Sequence, residues 1–241
     1  MHCRMFVSNG DRYFNSRLYR ALLFASERDV FLDNRSHNSG WGMAILSDGR
    51  EIYLRSLTPI YEDIIPLNIF PERSHALIHA RLASTDEPTR LADDSHPYRI
   101  GGEHTIYIAH NGHLRKEIIG KEFNIEYRNK NDTEVLALLL SSMEGDPYDR
   151  IRKTIDIVYD LGANETLNLL FLVNGREYVK FYYYSDFKSK EKYLTLFRYV
   201  NGANVAIMSS TVAYYLNLID ENLKILSGNV EPVERMKLME G

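Results

Sequence analysis

The chain has 241 residues, 44% of them hydrophobic and 26% charged, with a formal net charge of -4. That balance describes a soluble globular chain large enough to bury a core, and gives no reason to expect nucleic acid or an anionic membrane as partner. Cys3 is the only cysteine, which excludes a disulfide framework; no apolar run approaches the roughly 20 residues of a membrane span, no signal-peptide core precedes residue 7, and the expected compartment is the cytoplasm.

Residues 5–7 read as a short opening strand, and residues 16–28 as a helix with Leu18, Leu22, Phe24 and Ala25 at helical spacing behind Ser16 as cap. Residues 41–46 and 51–57 read as strands joined at Asp48-Gly49, a hairpin signal. Residues 76–81 and 105–110 read as two more strands, the second carrying Ile106, Ile108 and Ala109. A helix is expected over 132–142, capped by Asn131 or Asp132, with Leu136, Leu139 and Leu140 on one side. Asp146-Pro147 opens another helix, with Ile151, Ile155, Val158 and Tyr159 at helical spacing and a stop at Gly162. Residues 167–173, 178–184, 193–200 and 205–208 read as a run of antiparallel strands, and the polar segment 230–241 as loosely held. The 17 tyrosines, including the run Tyr182-Tyr183-Tyr184, read as strand packing. No linker, repeat or low-complexity stretch divides the chain, so a single α+β domain is expected over 1–241, with sheets packed together and helices outside.

Four stretches are more specific than packing requires. His37-Asn38-Ser39-Gly40-Trp41-Gly42 sets the only tryptophan between glycines, which let a backbone turn sharply or come close to another group; a loop entering a strand explains it equally well. His79-Ala80-Arg81-Leu82-Ala83-Ser84-Thr85 ends a strand, and an arginine there either holds a carboxylate bidentately or makes a surface salt bridge. His110-Asn111-Gly112 follows an apolar strand. An Asn amide and the next backbone N–H form an oxyanion hole when they point the same way, although Asn-Gly is also a common turn pair. Asn131-Asp132-Thr133-Glu134 starts a helix; an Asp there either receives a ligand ammonium or simply caps. His75, His79, His96, His104, His110 and His113 crowd one third of the chain. They do not suggest a metal, because His75 and His79 would lie about 13 Å apart on a strand; no metal or other cofactor is expected.

Taken in order, a near-terminal Cys3, His-x-x-Gly-Trp-Gly at 37–42, His-x-Arg-x-Ala-Ser at 79–84, His96-Pro97, His110-Asn111-Gly112 and Asp132-Thr133-Glu134 form a pattern. The chain resembles the class II glutamine amidotransferases, the glutaminase domains of the N-terminal-nucleophile hydrolase superfamily, and most of all the short stand-alone branch whose sequences begin Met-Cys-Arg. The resemblance runs from Cys3 to about Leu140, with a weaker echo at Ala206-Ile207-Met208-Ser209-Ser210. It implies a four-layer αββα sandwich, two stacked antiparallel sheets between helical layers. It also implies roles. Cys3 is the nucleophile on the γ-amide of glutamine or a γ-glutamyl compound, forming a thioester and releasing ammonia. Its α-amine, once Met1 and His2 are removed, is the base. Asn111 and the Gly112 N–H form the oxyanion hole, Arg81 with Ser84 or Thr85 grips the substrate carboxylate, Asp132 takes the ammonium, and Trp41 and Gly42 shape the wall beside the nucleophile. The implied partner is glutamine or a γ-glutamyl small molecule. A separate synthase subunit would accept the ammonia where it is used, because nothing after Leu140 resembles one. His2 departs from the pattern: if Met1-His2 stays, Cys3 is blocked and the chain is a binding or regulatory subunit. Leu82 stands where several synthase-linked members have an aromatic residue. The polar stretch 86–102, with Pro88 and Pro97, is expected to cover the pocket.

Overall fold

The apolar alternation at the start of the chain runs further than residues 5–7. In a computed structural model, which describes residues 2–63, 65–84, 89 and 91–241, the first strand β1 spans His2–Asp11 and passes directly into α1, Arg12–Glu27. That continuity moves the helix start: Asp11, not Ser16, is the cap, accepting the Phe14 N–H at 2.8 Å. The hairpin forms as expected, β2 (Trp41–Ser47) to β3 (Arg50–Ser56), with Asp48 and Gly49 both at positive φ as its tight turn requires. There follow β4 (Arg73–Leu82), β5 (Tyr98–Ile100), β6 (Thr105–Leu114), α2 (Lys116–Glu122), α3 (Asp132–Ser142) and α4 (Pro147–Asp160). The chain finishes with β7 (Asn164–Asn174), β8 (Val179–Asp186), α5 (Glu191–Leu194), β9 (Leu196–Asn201), β10 (Asn204–Ser209), α6 (Ser210–Tyr215), β11 (Val230–Pro232) and β12 (Met239–Glu240). Asn131 caps α3 by accepting the Glu134 N–H at 2.8 Å.

The strands build two antiparallel sheets. One has seven strands in the order β11-β9-β10-β1-β4-β2-β3, the other five in the order β12-β8-β7-β6-β5. The two-residue period of each strand divides its side chains between two faces. Met5, Val7, Ala44 and Leu77 of the larger sheet meet Tyr107, Leu170, Leu172 and Tyr183 of the smaller one between the sheets. Phe6, Met43, Ile78 and Met208 turn outward onto Leu18 and Leu22 of α1 and Val212 of α6. Ile106, Ile108, Leu169 and Phe171 turn outward onto Leu136, Leu139, Ile151 and Ile155 of α3 and α4. The layering is therefore helices, sheet, sheet, helices, as expected. The tyrosine run divides the same way, Tyr183 between the sheets and its two neighbours under the helices.

Two further expectations fail. The segment after residue 229 is not loosely held: β11 extends the larger sheet beside β9, and β12 extends the smaller beside β8. The His110-Asn111-Gly112 stretch does not follow its strand but lies inside β6, paired with Leu169, Asn168 and Leu167 of β7, so of the two readings of Asn-Gly the plain turn is not the one formed. Among the described residues no helix is long and apolar enough to cross a membrane.

A Leu172→Ala substitution, emptying a fully buried position between the sheets, is expected to cost about 2–5 kcal/mol in urea unfolding. Leu226→Ala, at a residue 57% exposed, should stay within about 0.5 kcal/mol of the parent.

Candidate functional site

The site begins where β10 ends. Residues 6–9 of β1 pair with β10 on one side, while residues 2–11 pair with β4 on the other. At Ser209 the chain turns into α6, so β1 loses its β10 neighbour toward its N-terminal end. The Met5 N–H on that side is taken up by the Ser209 hydroxyl at 3.1 Å. Two residues earlier the Cys3 N–H has no strand to meet. It donates instead to Oδ1 of Asn111 at 3.0 Å, reaching across to the other sheet.

Alternation puts the Cys3 side chain on the face of Met5 and Val7, between the sheets, and Asn111 on the face of Tyr107 and Ala109, toward it. Arg81 stands directly opposite Cys3 in the β1–β4 register. Cys3, Arg81 and Asn111 are all completely buried. Burial pushes the Cys3 thiol up to about 11, against the Leu82 backbone hydrogen bond and the charge of Arg81, which favour the thiolate; the charge of Asp132 works in the same direction as burial. Arg81 and Asp132 are thus both close enough to be felt at the sulfur.

Asp132 enters from the helical side of β6. Its carboxylate accepts the Leu114 N–H and the Thr133 hydroxyl, each at 3.1 Å, with His110 and His113 each 3.7 Å away. Burial alone raises its pKa, but His110 and then His113 outweigh it and hold the group down at about 2. It is therefore an anion at neutral pH.

Several polar atoms around this cluster are buried with no hydrogen-bond partner among the described residues: Nδ2 of Asn111, Oγ of Ser84, Nδ1 of His79 and Nε2 of His96. Native interiors rarely leave such atoms alone, and all four belong to residues of the sequence pattern that also holds Cys3. The His110 N–H points at Nδ1 of His96 at 3.5 Å, on the open edge of β6 beyond its short pairing with β5. The strand period puts the Gly112 N–H on the same edge. Gly112 must be glycine: a Cβ there would lie 2.0 Å from the Thr166 carbonyl and 2.4 Å from Nε2 of His110.

In the His37–Gly42 stretch, Trp41 and Gly42 take opposite faces of β2. The Trp41 indole packs in the core on the outer face of the larger sheet and donates to Asp63 at 2.8 Å. Gly42 shares the inner face but makes room for backbone, since a Cβ would sit 2.3 Å from the His96 carbonyl. Gly40, at φ 101, turns the chain so that its carbonyl meets the Arg81 N–H at 2.9 Å. The motif therefore also sets the register beside Arg81. Thr85, and residues 86–88 and 90 of the stretch expected to cover the pocket, lie outside the described residues.

His79 and His96, which the sequence pattern includes without a role of their own, have their rings 4.3 Å apart. Burial drives His79 down to about 3 and His96 well below its usual value, with neighbouring cations adding to the effect. Their spacing in sequence gave no sign of contact, because β5 and its preceding loop bring them together.

No family model matches the chain, and no curated protein sequence matches it. Among solved structures it is similar to a chain from Silicibacter pomeroyi described as a glutamine aminotransferase class-II domain protein, at 15% identity, with 98% of each chain covered and a TM-score of 0.47.

Because His79 and His96 are buried neutral, the unfolded chain binds protons that the folded chain refuses. Stability is therefore full above the unfolded value of about 6.5 and falls as pH drops toward the folded values, by about 1.4 kcal/mol per pH unit for each such histidine. Urea unfolding at pH 7.5, 6.0 and 5.0 should show this decline, and His79→Gln should flatten it.

Proposed function

We propose that this chain is an amidohydrolase of the class II glutamine amidotransferase type, cleaving the γ-amide of glutamine or a γ-glutamyl compound through a Cys3 thioester. The observation that carries the reading is the Cys3 N–H bound to Oδ1 of Asn111 while Nδ2 of the same amide stays buried and unpartnered. One side chain thereby orients the nitrogen that would become the base and keeps a donor beside the sulfur.

Removal of Met1 and His2 turns that nitrogen into an α-amine with an ordinary pKa of about 7.7–8.0, neutral in useful proportion near pH 7. The amine takes the thiol proton as sulfur attacks the amide carbon. Nδ2 of Asn111 and the Gly112 N–H receive the oxyanion. The intermediate collapses as the protonated amine returns its proton to the leaving nitrogen, releasing ammonia and leaving a γ-glutamyl thioester for water. Arg81, opposite Cys3, suits the substrate α-carboxylate, with Ser84 three residues further along the chain to assist, and the Asp132 anion suits the ammonium. Released ammonia would pass to water or to a separate synthase subunit.

One observation favours a second reading. In the chain that retains Met1-His2, the Cys3 nitrogen is an amide and the thiol is pushed up to about 11 by burial, so the sulfur is inert at neutral pH. An unprocessed chain would then act as a binding or regulatory subunit. The two readings separate on intact mass and on ammonia release from glutamine and γ-glutamyl peptides. The enzyme reading expects loss of Met1-His2, labelling of Cys3 by a glutamine-analogue electrophile, no turnover in Cys3→Ala, and a fall in kcat of about 10²–10³-fold in Asn111→Ala. A full-length mass with neither labelling nor release would overturn it.

A further inference from the structure

Arg4 follows Cys3 in β1 but projects to the opposite face, and its side chain is completely buried. Its Nε donates to Oδ2 of Asp29 at 2.5 Å and its Nη1 to the Tyr193 carbonyl at 2.9 Å. The guanidinium lies 3.6 Å from the centroid of the Tyr193 ring. The Tyr193 hydroxyl in turn donates to the Cys3 carbonyl at 3.3 Å. Asp29, also completely buried, is a hub: besides Arg4 it meets Nε2 of His37 at 2.9 Å, and it accepts the Thr211 hydroxyl at 2.6 Å and the Phe31 N–H at 3.1 Å. Ser210 donates to the Tyr193 carbonyl at 3.1 Å.

We infer that Asp29, Arg4 and Tyr193 form a positioning unit for Cys3, gripping its carbonyl from the side away from the substrate so that its sulfur and nitrogen stay in register with Asn111. The inference rests on the amidohydrolase reading above for its catalytic consequence, and on the contacts themselves for its geometry.

A buried ion pair is weak evidence for stability, because apolar residues of similar size often serve as well. What the pair does here is directional. Asp29 draws donors from the segment after α1, from the loop before β2 and from α6, and Arg4 passes that fixed point to α5 through the Tyr193 ring and carbonyl. Burial raises the Asp29 carboxyl, but Arg4 and then His37 outweigh it and keep the group well below the usual carboxylate range, so the hub stays ionised. The arrangement also gives a purpose to His37, the first residue of the His-x-x-Gly-Trp-Gly stretch. Ser210 and Thr211, at the weaker C-terminal echo of the sequence pattern, gain one as well.

The chain has one cysteine, so labelling cysteine with ¹³C at the carbonyl gives a single resonance that reports the Tyr193 hydrogen bond directly. Tyr193→Phe, which removes only the hydroxyl, should move that resonance upfield and lower kcat for glutamine about five- to tenfold with KM unchanged. Asp29→Asn should move it in the same direction, because Asp29 acts through Arg4 and Tyr193. If Asp29→Asn does not fold, Arg4→Lys decides: it keeps the charge but loses the planar contact over the ring, and should reproduce the shift. A resonance left at the parent position in Asp29→Asn or Arg4→Lys, while Tyr193→Phe moves it, would overturn the unit. So would a rise in KM at constant kcat. If the processed parent releases no ammonia from glutamine, the amidohydrolase reading fails, and the carbonyl resonance alone decides the positioning unit.

Discussion

The hydrogen bond from the Cys3 N–H to Asn111 ties a backbone nitrogen of one sheet to a side-chain amide of the other, across an interface filled mainly by apolar side chains. Face-to-face sheets stand about 10 Å apart, so a backbone nitrogen of one rarely meets an amide of the other. It does so here because β10 gives way to α6 at Ser209, freeing one edge of β1, and because β5 pairs only residues 106–108 of β6, freeing the matching edge of the smaller sheet. Each sheet is left unfinished at one corner, and the corners face each other. Everything proposed for the site follows from that pair of early endings.

The two faces of β1 treat polarity differently. On the helical side, Asp29 gathers four donors, and among the polar atoms of Arg4 only Nη2 lacks a partner among the described residues. On the inner side, atoms of Asn111, Ser84, His79 and His96 are left without partners. Each such atom costs about 1–3 kcal/mol if nothing meets it. A well-bonded frame on the helical side of Cys3 and under-bonded polar atoms on the inner side form the pattern expected where a ligand completes the hydrogen bonds.

Much of the layer plan was legible because it rests on periodicity. The hairpin at Asp48-Gly49, the Asn131 cap with helix 132–142, and the start at Asp146-Pro147 are local signals that tertiary contacts reinforce rather than override. The short helices α2, α5 and α6 escaped notice because seven, four and six residues are too few for a 3.6-residue period to show. β11 and β12, three and two residues long, are strands only because β9 and β8 offer them an edge.

The sequence by itself determined which residue types were on offer near a lone cysteine: an arginine at a strand end, an Asn-Gly pair, an acid at a helix start. It also determined the strand alternation that sends Cys3 and Arg4 to opposite faces. Only the tertiary structure decided that His110-Asn111-Gly112 continues a strand instead of turning, because a turn signal is overruled when β7 supplies a full ladder partner. Only the tertiary structure set Trp41 on the face opposite Cys3, since the face a strand residue takes depends on the register of the sheet around it. And only it brought Asp29 and Tyr193, separated by 164 residues, to the two ends of one arginine. Such long-range polar contacts leave no period in the chain; they exist because a buried charge must find its partners wherever the fold has placed them.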